Sequence, residues 1–456
     1  MSTNFKKNDK CIVEITDLGT NGEGIGKTEG FTVFVNGVIP GEKAEVLLMK
    51  VKKNYAYGKL VRLIKPSENR VKPVCSIAGK CGGCSIQHID YPAQLLFKQN
   101  LVRENLRRIG GFDDIEVLPV IGMDEPYFYR NKEQYPVREN PKGGIDIGFY
   151  AMSSHRVINC EKCCISNGDS EKVITAVRDF MLKYGIKPYN EETGKGVVRH
   201  ILIRNAKKTG EVMVCLVVNT SDFKYKNELV KALSDIDGLK SVVVNCNTQK
   251  TNVILGQKCE TIYGSDTVTD SIGDLKFDIS PLSFFQVNPV QTEKLYGKAL
   301  EFAGLTGEET VIDAYCGIGT ITLFLAQKAK KVYGVEVVPQ AIENAKNNAK
   351  KNNIKNAEFL CGKSEDIVPK LFEEQGIRPD VMVVDPPRKG CDASLLSMML
   401  EMLPERIVYV SCDSATLSRD LKILCENGAY NVEKVQPVDM FPHSVHIENV
   451  CLLTRQ

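Results

Sequence analysis

Residues 310–319, TVIDAYCGIG, decide the fold, because an apolar run ends there at Asp313 and a turn with two glycines follows. A helix-like segment, TITLFLAQKA, comes next, and KVYGVEV at 331–337 has the pattern of a second strand. Pro339 then opens another predicted helix. The alternation continues with the strand-like runs AEFLCGK, DVMVVDPP, RIVYVSC and VEKVQPVDMF. This succession of strands and helices predicts a doubly wound, Rossmann-like α/β domain over residues 281–456.

The glycine turn and a later acidic residue indicate a ligand that contains a nucleoside. Glycines let the backbone approach the ligand closely, and Glu336 at the end of the next strand can accept hydrogen bonds from both ribose hydroxyls. NAD enzymes share such a turn, but the fingerprint G-x-G-x-x-G is incomplete here because position 322 is Thr. The order D-x-x-x-G-x-G instead resembles the S-adenosylmethionine turn of class I methyltransferases. We therefore expect S-adenosylmethionine to bind at this turn.

Two more polar residues are candidates for the same site. Asp385 closes the strand DVMVVD at its carboxyl end, where ligands of open α/β sheets bind, and the prolines after it stiffen the chain. Gln286 lies beside two phenylalanines, from where it could contact the cofactor or the edge of a uracil. A plain loop at Asp385 and core packing around Gln286 are the alternative interpretations.

Cys412 has the position and the chemistry of a nucleophile. Methyl transfer to C5 of a pyrimidine such as uracil would need such a residue, because C5 is a poor nucleophile until a thiolate adds to C6, and a base must afterwards remove the C5 proton. Cys412 ends the strand RIVYVSC, and the positive end of the helix that follows is expected to lower the pKa of its thiol. The alternative is a cysteine that only packs in the core.

Glu448 is the candidate for that base. It lies between Ile447 and Val450 near the end of the sequence, where burial of an unpaired carboxylate would be costly. On a strand, His446 would share a face with Glu448 and could orient it or take the proton itself. A metal site built on His443 and His446 is the competing interpretation, although no third ligand lies nearby in the sequence.

A cysteine cluster indicates a bound metal ion or an iron–sulfur group. The chain has sixteen cysteines, and its first residues lack the apolar segment of a secretion signal, so the thiols are expected to stay reduced. Cys75, Cys81 and Cys84 have the close spacing that iron–sulfur and zinc sites use. Residues 160–164, CEKCC, can supply a fourth thiolate. The spacing leaves zinc and a [4Fe–4S] cluster both open.

The N-terminal residues predict a small basic β-barrel. Short alternating runs, CIVEIT, GFTVFV, EKAEVLLMK and YAYGKLVRLI, are separated by glycines over residues 10–65. Residues 1–72 hold thirteen Lys and Arg against eight Asp and Glu, although the whole chain carries a net charge of only +2. Lysines alternate with Tyr55 and Tyr57, which suits phosphate contacts and base stacking, although a solvated strand face would look similar.

Three domains follow from these patterns and from a length of 456 residues, which is too long for one ordinary core. We expect the barrel over 1–66, a central α+β domain with the cysteine cluster over 67–280, and the α/β domain over 281–456. No stretch has the roughly 18 consecutive apolar residues that a membrane span needs. The sequence therefore predicts a cytoplasmic protein that does not act at a membrane.

Together these motifs resemble the RNA uracil-5 methyltransferases, most of all the bacterial 23S rRNA (uracil-5-)-methyltransferases. Residues 10–65 resemble a TRAM domain, an RNA-binding β-barrel, through GEGIG at 22–26 and VIPGE at 38–42. FFQVN at 284–288, D-x-Y-C-G at 313–317 and DPPR at 385–388 match further family motifs. The resemblance implies that the cofactor and target pocket is lined by Gln286, Tyr315, Glu336 and Asp385.

The same resemblance implies the chemistry and the metal group. The family's nucleophile motif is matched at residues 411–420, with Asp413 and Ser414 in place of Asn-Pro, and Cys412 is its nucleophile. Glu448 corresponds to the family's base. A [4Fe–4S] cluster would be bound by Cys75, Cys81, Cys84 and Cys163, with Cys160 and Cys164 as neighbouring alternatives to the last.

Three alternatives differ in substrate or in class of protein. A tRNA uracil-5 methyltransferase would use the same catalytic residues, but the barrel and the cysteine cluster favour 23S rRNA, methylated before or during ribosome assembly. A cytosine-5 enzyme would carry its nucleophile in a different motif. A non-catalytic RNA-binding protein with this fold is disfavoured because Cys412 and Glu448 are both present. No obligate protein partner is expected.

Overall fold

Five strands near the N-terminus close into a small barrel. The computed structural model describes residues 5–152, 154–168 and 170–456. The barrel strands are β1 Lys10–Leu18, β2 Gly24–Thr28, β3 Phe31–Val35, β4 Lys43–Val51 and β5 Tyr55–Lys65. They pair in the closed order β1-β2-β3-β5-β4, with Val13, Val33 and Val46 buried inside. Gly58 is needed on β5 because a Cβ there would lie 2.1 Å from Cγ1 of Val46. The predicted barrel is confirmed, while residues 1–4 of its expected range lie outside the described residues.

A seven-stranded sheet forms the central region. Before it come α1 Tyr91–Asn105, a π-helical turn Leu106–Gly110 and the short strand β6 Glu116–Val117. The sheet strands are β7 Lys132–Glu139, β8 Ile145–Tyr150, β9 Val157–Asn159, β10 Val198–Asn205, β11 Val212–Val218, β12 Leu239–Cys246 and β13 Lys258–Gly264. They pair in the order β13-β12-β11-β10-β7-β8-β9, in which β11 and β12 are parallel and the other pairs antiparallel. The helices α2 Ser170–Lys183 and α3 Lys226–Leu233 cover one face, where Phe180 and Leu229 are buried. The hairpin of β14 Val268–Ile272 and β15 Leu275–Ile279 then leads to the C-terminal region.

An eight-stranded sheet with helices on both faces forms the C-terminal region. Its strands are β16 Thr310–Asp313, β17 Lys331–Glu336, β18 Ala357–Cys361, β19 Val381–Val384, β20 Arg406–Ser411, β21 Tyr430–Val438 and β22 Glu448–Arg455, joined by β6. The helices are α4 Pro289–Ala303, α5 Thr320–Ala326, α6 Pro339–Lys351, α7 Ser364–Glu373, α8 Ala393–Met402 and α9 Ser414–Cys425. The order is β18-β17-β16-β19-β20-β22-β21-β6, and β16 to β20 are mutually parallel. The predicted doubly wound α/β fold is confirmed.

Both faces of this sheet are buried, which explains why its strands read as continuous apolar runs. Val311 and Val383 pack in one core with α4 and α5, whereas Ile312 and Val384 pack in the other with α8 and α9. The strand β6 comes from residues before position 281 and pairs with β21. The domain boundaries at 66/67 and 280/281 stay predictions. Within the described ranges, no helix is long and apolar enough to cross a membrane.

Candidate active site

One cavity of about 780 Å³ lies where the parallel strands of the C-terminal sheet end. Parallel strands bring their carboxyl ends to one edge, so residues far apart in the sequence meet there. The cavity is the place where a ligand of this sheet is expected to bind. Every cofactor and catalytic residue predicted from the sequence lines it, namely Gln286, Tyr315, Glu336, Asp385, Cys412 and Glu448.

The turn after β16 is built around the buried carboxyl group of Asp313. One carboxyl oxygen accepts a hydrogen bond of 2.6 Å from the hydroxyl of Thr322, and the other accepts one of 3.3 Å from the backbone N–H of Tyr315. Burial raises the pKa of Asp313 to about 6. Gly319 adopts φ +86°, which favours glycine. The threonine that interrupts the dinucleotide fingerprint therefore fixes the turn that faces the cavity.

Asp385 and Glu336 contribute carboxyl groups to opposite parts of the cavity wall. Glu336 ends β17, next to β16, and Asp385 directly follows β19 on the other side of β16. Asp385 is partly buried, and desolvation, helped by the charge of Asp313, raises its pKa to about 7. A carboxyl group with this pKa can carry or release a proton near neutral pH.

Cys412 lies between the end of β20 and the start of α9, as predicted, but its pKa is the opposite of the expectation. Burial raises the pKa of its thiol to about 12, and the nearby charges of Glu448 and Asp385 add to the effect. The helix N-terminus does not offset this, because Asp413 accepts hydrogen bonds from the backbone N–H groups of Ala415 at 2.9 Å and Thr416 at 3.2 Å. The prediction that α9 lowers the thiol pKa is wrong, since Asp413 uses the donors that would have stabilised a thiolate.

Glu448 is the first residue of β22 and is buried, with 3% of its surface exposed. Burial raises its pKa well above the usual value, the charge of Asp385 adds to this, and Arg388 opposes it. Its Oε2 atom has no hydrogen-bond partner among the described residues. A buried carboxyl oxygen without a partner is costly, so a bound ligand that donates a hydrogen bond there would be favoured.

His446 lines the same cavity without being on a strand. Residues 439–447 form a loop that ends where β22 begins, so the alternation of His446 with Glu448 on one strand face is not found. His446 is exposed, and its ring meets Phe441 edge-on with the centroids 6.2 Å apart. No three His, Cys, Asp or Glu residues in the described part of the chain are grouped to bind one ion, and the ring of His443 instead stacks on Tyr127 and lies 3.2 Å from Gln94 Nε2.

The cavity also contains residues to which the sequence analysis gave no role. Arg388 is a cation whose charge partly opposes the rise in the pKa values of Cys412 and Glu448. Phe284 is 66% exposed at the cavity wall. Lys363 and Glu365 enter from the start of α7, directly after β18. Asp385 is predicted because it follows the carboxyl end of a parallel strand. Lys363 ends the strand-like run AEFLCGK and Glu365 follows it, so the same signal indicates them.

A second cavity, of about 250 Å³, collects the predicted cluster cysteines. Burial raises the pKa of the Cys160 and Cys163 thiols to about 12, and neighbouring sulfurs add to the effect. Two N–H groups point at sulfur atoms: the backbone N–H of Gly83 to Cys81 Sγ at 3.4 Å, and the side-chain amide of Gln87 to Cys164 Sγ at 3.3 Å. The cavity is lined by Cys75, Cys81, Cys84, Cys160, Cys163 and Cys164.

The barrel presents an aromatic cluster on its outer surface. Tyr55 and Tyr57 meet edge-on with their ring centroids 5.6 Å apart, and Phe34 lies 5.6 Å from Tyr55 and 5.7 Å from Tyr57. Tyr57 is 45% exposed, and Lys52 and Lys59 beside it are exposed as well. This surface combines flat aromatic faces with positive charge.

The fold and the strand-end cavity together define a class I, S-adenosylmethionine-dependent methyltransferase. Residues 208–456 match the family model described as tRNA (uracil-5-)-methyltransferase, and residues 7–61 match the TRAM domain. The chain therefore belongs to the RNA uracil-5 methyltransferase family, and S-adenosylmethionine is its methyl donor. The predicted resemblance of the barrel to a TRAM domain is confirmed.

Relatives extend over the whole chain. An uncharacterized RNA methyltransferase of Clostridium acetobutylicum is 54% identical over 453 residues, covering 99% of this chain and 98% of the relative. A protein of the same description from Bacillus cereus is 48% identical and covers 100% of this chain and 98% of its own length. Among solved structures, the Pyrococcus abyssi tRNA (uracil-54, C5)-methyltransferase in complex with S-adenosyl-L-homocysteine is 28% identical, covers 97% of this chain and 99% of its own, and superposes with a TM-score of 0.77.

Proposed function

We propose that this protein methylates C5 of uridine in 23S rRNA, with Cys412 as nucleophile and Glu448 as base. The supporting observation is the convergence of Cys412, Glu448 and Asp385 on one cavity wall, in a chain of the uracil-5 family. Gln286, Tyr315, Glu336 and Asp385 line the same cavity and are proposed to bind the methyl donor and the target base. The proposed site of action is the cytoplasm, which fits the sixteen cysteines, all of them free thiols.

The chemistry requires two charged side chains to act in order. The thiolate of Cys412 adds to C6 of the uracil, which turns C5 into a nucleophilic enolate carbon. Bound S-adenosylmethionine would supply the methyl group as an electrophilic methylsulfonium. Glu448 then takes the proton from C5, and the returning electron pair expels the thiolate from C6. Arg388 assists because its charge lowers the pKa of both groups, which must be ionised to act.

The identity of the RNA is decided by one assay. Purified protein is incubated with tritiated S-adenosylmethionine and unmodified 23S rRNA or tRNA, and the product is mapped by nuclease digestion and mass spectrometry. We expect 5-methyluridine in the rRNA. Label in tRNA alone would establish the second candidate, which the likeness to the Pyrococcus tRNA enzyme favours. No label in either RNA from folded protein would reject the enzymatic function.

The raised pKa values lead to a pH prediction. Burial and neighbouring carboxylates raise the pKa of both Cys412 and Glu448, and both groups act in their ionised forms. We expect kcat/KM for RNA to increase with pH from weakly acidic to alkaline conditions, because deprotonation creates the active forms. The pH profile of initial methyl-transfer rates measures this. A rate that falls over the same range would contradict the assignment of these two groups.

The cysteine cavity is proposed to hold a [4Fe–4S] cluster through Cys75, Cys81, Cys84 and Cys163. Burial raises the pKa of five thiols around this cavity, so positive charge is needed to ionise them; they are Cys81, Cys84, Cys160, Cys163 and Cys164. The cavity offers more than the four thiolates that such a cluster needs, and zinc, which also binds four thiolates, is the alternative that metal analysis distinguishes. Cys160 and Cys164 remain alternatives for the fourth ligand, because both line the same cavity.

Loss of one proposed ligand is expected to remove the cluster. Protein purified without oxygen should contain iron and acid-labile sulfide in equal amounts, and Cys84→Ser should lose most of both, because Cys84 is a partly buried member of the cavity wall. Cys361→Ser is the matched control, since Cys361 is exposed on β18 and lies outside the cavity. Stoichiometric zinc in the wild-type protein would contradict the cluster assignment.

The barrel is proposed to bind RNA through Phe34, Tyr55 and Tyr57. Removing one stacking ring costs about 1–3 kcal/mol, so Tyr57→Ala should weaken RNA binding by about 5- to 150-fold. Tyr57→Phe should bind as the wild type does, because the ring remains. Tyr263→Ala is the control, since Tyr263 is 46% exposed on β13, in the central sheet. Fluorescence anisotropy with labelled RNA measures the Kd; equal values for Tyr57→Ala and Tyr263→Ala would exclude the barrel surface.

A further inference from the structure

The loop of residues 439–447 leads directly into Glu448, the proposed base. Phe441 and His446 of this loop line the active-site cavity. The loop has no regular secondary structure, so its position depends on contacts with the surrounding elements. Whatever holds this loop therefore also sets where Glu448 and the cavity wall lie.

Helix α1 holds the beginning of the loop through a buried ion pair. Lys98 Nζ lies 2.5 Å from Asp439 Oδ1, and the side chains of both residues are fully buried. The same ammonium group donates a hydrogen bond of 3.0 Å to the carbonyl oxygen of Phe441. Tyr91 donates from its hydroxyl to Asp439 Oδ2 at 2.9 Å. These contacts fix residues 439–441 against α1.

His443 holds the middle of the loop. It adopts φ +69°, a left-handed conformation that is uncommon for a residue with a side chain. The side chain of Gln94, on α1, contacts both the backbone and the ring of His443. Gln94 Oε1 accepts a hydrogen bond from the His443 backbone N–H at 3.0 Å, and Gln94 Nε2 lies 3.2 Å from the ring Nδ1 of His443. The carbonyl oxygen of His443 accepts from the N–H of Ile86 at 3.0 Å. Tertiary contacts therefore stabilise an otherwise unfavourable backbone conformation.

The same loop is joined to the cysteine cavity. Tyr127 stacks on the ring of His443 with the centroids 4.5 Å apart and an angle of 28° between the rings. Tyr127 also packs in the small hydrophobic cluster that contains Cys84 and Cys164. Tyr129, from the same cluster, donates its hydroxyl to the carbonyl oxygen of Pro442 at 3.2 Å. Tyr127 and Tyr129 thus pack against the cysteines and also contact the 439–447 loop.

The barrel reaches the loop as well. A Cβ on Gly22 would lie 2.9 Å from Cγ2 of Ile86 and 3.0 Å from Cγ1 of Val445, so the barrel turn touches both. Ile86 comes two residues after Cys84. The cysteine segment, the barrel and the loop therefore form one continuous packed unit.

We propose that Tyr127 and His443 are positioning residues, through which the occupied cysteine site holds the 439–447 loop and thereby sets the position of Glu448. This inference rests on the proposed function, since it takes Glu448 as the base and the cysteine site as filled. Emptying the cysteine site lets Cys84 and Cys164 move, removes the packing under Tyr127 and releases the loop. Methyl transfer then becomes sensitive to the state of a site that does not take part in the chemistry.

Hydrogen–deuterium exchange tests this without relying on activity. We expect peptides that cover residues 439–448 to exchange at least about tenfold faster in Tyr127→Ala than in the wild type, because the stack on His443 is lost. Tyr127→Phe keeps the ring and should restore wild-type exchange. Tyr263→Ala is the control for loss of an exposed tyrosine. Peptides from β10 and β11 report whether each variant is folded.

A second perturbation needs no mutation. Wild-type protein whose metal has been removed by a chelator under oxygen should show the same rise in exchange at 439–448, with β10 and β11 still protected. In steady-state assays, Tyr127→Ala should lower kcat with little change in KM for RNA, since the base moves while the RNA-binding barrel remains. Unchanged loop exchange in either Tyr127→Ala or chelator-treated protein would overturn the inference, because it requires both the aromatic stack and the occupied cysteine site to hold the loop. Absence of 5-methyluridine from the wild type would instead reject the proposed function, whatever the exchange shows.

Discussion

Replacing Cys412 by alanine is expected to lower the rate of methyl transfer by at least about 10⁴-fold. Without the thiolate, C5 of the uracil never gains the electron density needed to attack a methylsulfonium. The nearby carboxylates of Glu448 and Asp385 cannot take over the role of the nucleophile. They affect the Cys412 thiol only through their charge, which raises its pKa. Transfer of tritium from S-adenosylmethionine to RNA measures the effect.

The controls separate loss of chemistry from loss of structure. Cys361→Ala removes an exposed thiol from the same domain and should keep wild-type activity. Cys412→Ala should also bind S-adenosylmethionine and RNA with Kd values within about threefold of the wild type, because the turn after β16 and the barrel are untouched. If Cys412→Ala kept more than about 1% of the wild-type rate, covalent catalysis by this residue would be excluded.

Replacing Glu448 by glutamine is expected to reduce turnover by about 10²–10⁴-fold and to trap the enzyme on its RNA. Glutamine preserves the shape of the side chain but cannot take the C5 proton. Because elimination of the thiol needs that proton to leave, the bond between Cys412 and C6 persists after the methyl group has been transferred. The adduct is measured as a protein–RNA species that survives a denaturing gel and contains the tritiated methyl group.

Two further variants make this result specific. Glu433→Gln changes an exposed carboxylate on β21 of the same sheet and should neither trap RNA nor slow turnover. The double variant Cys412→Ala, Glu448→Gln should form no adduct, because the attacking sulfur is missing. Normal turnover without adduct in Glu448→Gln would show that another group removes the proton, and His446 in the same cavity would be the next residue to test.

Most of the cavity residues could be predicted because they lie at the carboxyl ends of parallel strands. Asp313, Glu336 and Asp385 are each the last residue of an apolar run or follow it directly, and parallel strands must bring such positions to one edge. Cys412 follows β20 in the same way. Glu448 is different, since it begins an antiparallel strand, and its carboxylate in an apolar segment was the signal that found it.

Other features depend on contacts that the sequence does not display. Burial raises the pKa of the Cys412 thiol to about 12, and two carboxylates that converge from other strands, Glu448 and Asp385, add to the effect. Lys98 looks like an ordinary charged residue of a polar helix, yet it is fully buried against Asp439. Local patterns identify elements and their ends, whereas the charge state of a group depends on neighbours that only the folded chain brings together.

The pairing of β6 with β21 has a consequence for how the protein is made. Glu116–Val117 leaves the ribosome long before Tyr430–Val438, and until the later strand has been synthesised its exposed backbone groups have no partner in the catalytic sheet. A fragment that began after the central sheet would carry an open β21 edge, which invites association with other chains. The catalytic sheet is therefore completed by a segment that precedes the central sheet, and this pairing cannot form before β21 has been synthesised.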